Sequence, residues 1–240
     1  GQTNAADMTE SGLLFGREST GTGALPFTYS LANSTNFLAA PADDFDLIAM
    51  NGNGHYIGRE WNPDTFSYEP FVLDGNGKNP LPTNLRPEGY ANDGTIVGWD
   101  SDTFRGFIRS PDGGLTSTWL DSVGGISDDG TVWAGASGSS LVVYIDGVEY
   151  SSQILSTDLP TDPLSLSGTP LGSLATYNII VGDVNSSGQV VGTISALYNA
   201  TGGGFVPRSF GFVANPVPEP GTMAVLGGAL ALFARRRRKG

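Results

Sequence analysis

The chain has no cysteine and a single histidine, His55, in 240 residues. Disulfide frameworks, thiol nucleophiles and metal sites built from several Cys or His are therefore excluded. Positive charge is also scarce. Twelve Lys and Arg face 24 Asp and Glu, for a net charge of −12. Five of the twelve are packed into residues 235–239, so residues 1–215 hold seven bases against 23 acids, a net −16. Nucleic-acid binding needs a basic face, and nucleic acid is excluded as a partner. No convincing amphipathic helix precedes the C-terminal 25 residues. Glycine and proline, in contrast, are plentiful, at 35 and 15 residues. Short aromatic and β-branched clusters lie between them, which predicts many strands and many turns.

The last 25 residues have three parts. Val217-Pro218-Glu219-Pro220 comes first. An uncharged run of 14 residues, Gly221–Ala234, follows, and Arg235, Arg236, Arg237, Arg238 and Lys239 end it. As a helix the run reaches about 21 Å, short of a ~30 Å hydrocarbon core. It suits a transient hold in a membrane with the basic cluster left in the cytoplasm. This order resembles the PEP-CTERM sorting signal of Gram-negative bacteria. The resemblance implies recognition by an exosortase in the inner membrane, cleavage of the tail, and delivery to the cell surface or to a matrix with exopolysaccharide. Since the chain begins at Gly1 without a leader, an upstream export signal is expected. The expected division is a β-repeat ectodomain at 1–215 and a sorting segment with a short hydrophobic helix at 216–240.

The ectodomain repeats. Five segments carry a Gly and, four residues later, a second small residue: Gly12 and Gly16, Gly54 and Gly58, Gly94 and Gly98, Gly130 and Ala134, Gly188 and Gly192. An apolar or aromatic strand follows each, such as Phe71-Val-Leu-Asp74 or Phe210-Gly-Phe-Val213. The first Gly suits a tight hairpin turn that needs positive φ, and the second lets a neighbouring backbone approach. Units of about 40 residues built from four strands predict propeller blades. The expected fold is an all-β, five-bladed propeller-like domain. Its fifth blade lacks sequence for an outer strand after Val213. Residues near Ala5–Thr9 could supply one, at the expense of the first blade's inner strand. The segments Tyr90–Gly98 and Val184–Gly192 resemble the HAF family of extracellular repeats, with its His-Ala-Phe strand degraded to Arg105-Gly106-Phe107 and Arg208-Ser209-Phe210. That family brings no established activity.

Hairpin turns after each first strand should stud one face, with longer loops on the other at 18–26, 59–70 and 195–208 and an insert at 152–178. Length variation gathered on one face marks a binding surface. These loops carry Trp61, Tyr68 and Tyr198, the candidate glycan-stacking residues, with Phe66, Tyr177, Phe205 and the acids Glu60, Asp64 and Glu69. No cofactor or metal is implied: Asp74–Asn79 begins like an EF-hand, but Lys78 and the missing twelfth-position Glu break the pattern. The expected role is non-enzymatic, as a structural, adhesive or glycan-binding surface or matrix protein. The rival is a secreted glycoside hydrolase with two carboxylates. Neither the particular glycan nor the oligomeric state can be read from the residues.

Overall fold

The computed structural model describes residues 2–10, 12–20, 23–30, 35–39, 45–153, 171–200 and 203–215. The expected C-terminal helix falls outside them. Among the described residues every regular element is a strand. They form five antiparallel sheets in chain order, each a simple meander. The first holds β1 (Gln2–Met8), β2 (Leu13–Thr20), β3 (Gly23–Ser30) and β4 (Thr35–Ala39). The second holds β5 (Phe45–Met50), β6 (Tyr56–Asn62), β7 (Ser67–Asp74) and β8 (Gly77–Pro80). The third holds β9 (Leu85–Tyr90), β10 (Ile96–Asp100), β11 (Arg105–Arg109) and β12 (Leu115–Ser117). The fourth holds β13 (Ser122–Ile126), β14 (Val132–Ser137), β15 (Ser140–Ile145) and β16 (Val148–Gln153). The fifth has three strands, β17 (Leu171–Val184), β18 (Val190–Ala200) and β19 (Phe205–Ala214).

Each sheet packs on the next through its first strand. Residues from β1, β5, β9, β13 and β17 jointly line one narrow axial cavity of about 20 Å³, among them Met8, Met50, Tyr90, Ile126 and Val184. Four seams between consecutive sheets are apolar. Phe15 meets Phe45 and Phe71 at the first, Ile57 meets Leu85 and Phe107 at the second, Val97 meets Val123 and Val142 at the third, and Val143 meets Val181 and Val190 at the fourth. No such cluster joins the fifth sheet to the first among the described residues. That seam carries polar bonds instead: Ser186 donates from its backbone N–H and its hydroxyl to the two carboxylate oxygens of Glu10, at 2.6 and 3.0 Å. β1 stays in the first sheet, paired with β2.

The repeated glycines explain why the sheets share one geometry. All five turn glycines hold left-handed φ, between 76° and 95°, where a Cβ would be strained. Four of the turns close with a bond from residue i to i+4, such as Asn51 to His55. The fourth turn is one residue longer, since Ser127 donates to Val132. Each first strand then bulges by one residue against its second strand, at Ala6, Ile48, Glu88, Gly124 and Gly182. At that bulge the second strand comes close to the first. A Cβ on Gly98 would lie 2.1 Å from the Arg86 carbonyl oxygen, and one on Gly192 would lie 2.4 Å from that of Ile180. In the fourth sheet the extra turn residue moves the close approach from Ala134 to Gly135, whose Cβ would lie 2.4 Å from the Ser122 oxygen. Ala134 is therefore not an exception to the repeat. Gly135 takes the structural place that the spacing assigns to residue 134.

The turns also bond to one another across one face. Asn53 donates to the Asn92 side chain at 3.1 Å and to its backbone carbonyl at 3.0 Å. The Asn92 amide donates to the Asp128 carbonyl at 2.7 Å, and the Glu10 amide to the Asp128 carboxylate at 3.1 Å. With Ser186 on Glu10, turns of all five sheets join one hydrogen-bonded belt. The Gly135→Ala variant is expected to lose about 1–3 kcal/mol of stability, as overpacked cores do, whereas Ala134→Gly loses no more than about 1 kcal/mol. Urea midpoints of the two variants measure the difference. Equal midpoints would refute the shifted frame.

Candidate functional site

The segments expected as long loops are mostly strand. Residues 59–70 are the ends of β6 and β7 around a four-residue turn at 63–66, and residues 195–208 belong largely to β18 and β19. β17 likewise extends back to Leu171, so Tyr177 is a strand residue. The EF-hand-like Asp74–Asn79 is the hairpin between β7 and β8: Asp74 accepts from the Asn76 amide at 2.8 Å.

Two of the three candidate stacking residues come together. Trp61 and Tyr68 are cross-strand partners in β6 and β7, with ring centroids 5.2 Å apart. Both stay nearly half exposed, at 48% and 44%. Tyr198 does not join them. It is fully buried in the fifth sheet, packed with Ala196 and Phe210, because its strand runs through what the sequence reads as a loop. Phe205 is exposed at the start of β19, in that same sheet.

Trp61 and Tyr68 form one wall of a cleft of about 750 Å³ between the second and third sheets. Arg59 stands two residues before Trp61, on the same face of β6, and its guanidinium lies 4.8 Å from the Tyr68 ring centre. The other wall is β9, with Arg86, Pro87 and Glu88, and Trp99 of β10. On the opposite face of the second sheet Lys78 pairs with Glu60, and Glu69 accepts from Asn62 at 2.6 Å.

A local repeat that the glycine pattern does not reveal frames this cleft. Trp61-Asn-Pro-Asp-Thr-Phe66 and Trp99-Asp-Ser-Asp-Thr-Phe104 share Trp, an amide or acid, Asp, Thr and Phe in register. Each is the turn between the second and third strands of its sheet. Asn62 accepts from the Asp64 amide, and Asp100 from the Asp102 amide, both at 2.9 Å. The latter bond, followed by one from Asn84, holds the Asp100 carboxyl below its ordinary range. Both Phe residues then adopt left-handed φ, 51° and 53°. Such φ is uncommon for an aromatic and carries about 1–2 kcal/mol of strain. Both rings point into water, at 78% and 74% exposure. Strain held to expose an apolar ring is a mark of a functional surface. The spacing of 38 residues between the two Trp positions was the available signal.

Glu88 is the other feature that sequence reading missed. It is the bulged residue of β9, at a position filled by Ala, Ile, Gly and Gly in the other sheets, and it lines both the cleft and the axial cavity. Bulges re-aim side chains, frequently at functional sites. Burial raises its carboxyl from 4.5 to about 7. Among the described residues the carboxyl has no hydrogen-bond or ion-pair partner. His55, by contrast, is a turn residue whose amide donates to Asn51.

At the other end of the chain, the Pro-Glu-Pro run, the apolar stretch and the basic cluster are recognised as a unit. Residues 216–239 match the PEP-CTERM protein-sorting motif. The PEP-CTERM tail marks the chain as an exosortase-sorted exported protein, bound for the cell envelope or surface. No curated protein matches the chain. Among solved structures, a TolB-like protein from Agrobacterium tumefaciens is similar at 14% identity over 90% of this chain and 91% of that one, with a TM-score of 0.48. A functionally unknown protein from Desulfotomaculum acetoxidans shares 14% identity over 91% and 73%, with a TM-score of 0.37. A neuraminidase-like protein of subtype N11 from A/flat-faced bat/Peru/033/2010 (H18N11) shares 11% over 87% and 70%, also at 0.37. All three scores lie below 0.5, so the architecture rests on the strand order of this chain.

Two outcomes follow for the site. Glu88 binds its proton more tightly folded than unfolded, so stability is greatest below pH 4.5 with respect to this group and falls as pH rises through about 7. The loss by pH 8 is on the order of 3 kcal/mol. Glu88→Gln should flatten the pH 5–8 stability profile, measured by urea unfolding; an unchanged slope contradicts the assignment. The lowered Asp100, Asp112 and Asp129 act in a different window, at acid pH. Separately, Phe66→Gly and Phe104→Gly should hold or raise stability, by up to about 1 kcal/mol each, because glycine relieves the left-handed strain. A fall in thermal midpoint would show that the rings serve the core.

Proposed function

We propose that the five sheets are the blades of one closed propeller and that the protein binds glycan at the cell surface or in the surrounding matrix without cleaving it. The observation that carries this reading is the cleft flanked by two matching hairpins, with Trp61, Tyr68 and Trp99 on its walls and Phe66 and Phe104 held strained and exposed. Flat aromatic faces suit the C–H faces of sugar rings, and nearby polar groups suit their hydroxyls. The glycine-turn segments Tyr90–Gly98 and Val184–Gly192 are HAF-like, and the tail passes through the inner membrane of a Gram-negative cell before an exosortase releases it. Exopolysaccharide is the partner.

Glu88 favours a second reading, a glycoside hydrolase, because a carboxyl raised to about 7 in a cleft suits a general acid. That chemistry needs a second carboxylate across the scissile bond. Among the residues lining the cleft, Glu88 is the one acid, which supports binding over cleavage. The double variant Trp61→Ala/Tyr68→Ala is expected to lose retention on matrix polysaccharide at least tenfold while keeping its thermal midpoint within a few degrees. Unchanged retention would refute the binding surface, and release of reducing sugar by the wild type would refute the non-enzymatic role. Replacing Pro218-Glu219-Pro220 with alanines should trap the chain, tail intact, at the inner membrane; normal delivery to the surface would refute the sorting role of those residues.

A further inference from the structure

The glycan-binding reading leaves open which sugars the cleft takes, and its charge distribution answers that. In residues 1–215 acids outnumber bases more than three to one, yet the cleft holds two of the seven guanidinium or ammonium groups, Arg59 and Arg86. Arg59 is partly neutralised by Asp46, 3.3 Å away. Arg86 is not. Its Nη1 donates to the carbonyl oxygens of Thr83 at 2.7 Å and Leu85 at 3.3 Å. These neutral acceptors aim the guanidinium and leave its charge uncancelled, and among the described residues no carboxylate pairs with it. Arg86 is half-buried and is the cross-strand partner of Trp99, so cation and indole rise from the same face of the third sheet.

The acids of the second sheet's hairpin do not cancel this charge. Glu60 and Glu69 lie on the opposite face of that sheet, where Glu60 is paired with Lys78 and Glu69 is occupied by Asn62 and Thr65. Glu88, the one acid on the cleft wall, is kept largely protonated below neutral pH by burial. A fixed guanidinium beside an aromatic wall suits a planar carboxylate on a sugar ring. The surrounding acidic surface repels a polyanion, so attraction is confined to this cleft.

We propose that the cleft binds a polysaccharide bearing uronate groups, with Trp61, Tyr68 and Trp99 against the rings and Arg86 paired with a carboxylate. This rests on the glycan-binding reading and narrows it. The test titrates the full chain at low salt with galacturonate, glucuronate and mannuronate oligosaccharides, each beside its methyl ester. At least one acid form should bind about tenfold or more tightly than its ester, the effect of one charge-assisted bond. Arg86→Gln should remove that preference and leave ester binding within about twofold; Arg86→Lys should restore part of it. Equal affinity for acid and ester in the wild type overturns the uronate assignment while the glycan reading stands. Equal affinity for a sulfated neutral oligosaccharide overturns it as well, in favour of a general anion site. An acid preference that survives Arg86→Gln overturns the role of that residue. Binding of neither form overturns both readings.

Discussion

The architecture depends on one close approach, repeated from the second sheet to the fifth. At the inner-strand bulges of the third, fourth and fifth sheets the second strand comes so near the first that no side chain fits between them, and glycine stands there at residues 98, 135 and 192; at Gly58 of the second sheet a Cβ would lie 3.1 Å from the Asp46 carbonyl oxygen. The bulge raises the local twist of the inner strand. The same twist in each sheet lets consecutive sheets present the same edge to the axis, where the first strands gather round a cavity about the size of one water molecule. The four apolar seams form on that frame. Burial of apolar side chains supplies cohesion at these seams, but it is the missing Cβ that sets where the sheets can meet.

The cleft is an irregularity within this regular frame. Where other sheets place Ala, Ile or Gly at the bulge, the third places Glu88, and where other hairpins are short and polar, the second and third project a Trp and a Phe. The departures lie in adjacent sheets and converge on the seam between them. A repeat fold makes such a site simple to build, since neighbouring units hold equivalent positions at nearly fixed separation, and two copies of one hairpin give two walls of one groove. The Arg86 guanidinium is anchored by the backbone of its own strand start, which keeps it in place without a carboxylate.

Much of the frame was legible in the residues. The turn glycines marked all five hairpins, because left-handed backbone leaves few alternatives to glycine, and the small residue four places on marked the tight contact in the second, third and fifth sheets. Ala134 was misplaced by one position because an extra residue in a turn, Thr131, leaves no trace in a pattern of glycines. β8 went unseen, since Gly77–Pro80 looks like a loop when read locally and becomes a strand only by pairing with β7. The site was half legible. Trp61 and Tyr68 stood out as aromatics near polar residues, but Tyr198 looked the same locally and lies in a core. Burial is decided by the partner strand, which a linear reading does not supply. Glu88 carries no local signal at all, since its character comes from the bulge and from the solvent it loses there.

The seam between the last sheet and the first has a mechanical side. The tail leaves the body directly after β19, the outermost strand of a three-stranded sheet. Any pull on the tail is delivered to that strand. A force across its ladder parts hydrogen bonds in sequence rather than all at once, and behind it, among the described residues, the last seam carries the contacts of Glu10 and Ser186. A load carried by the sorting tail thus enters the body at the margin of its last sheet.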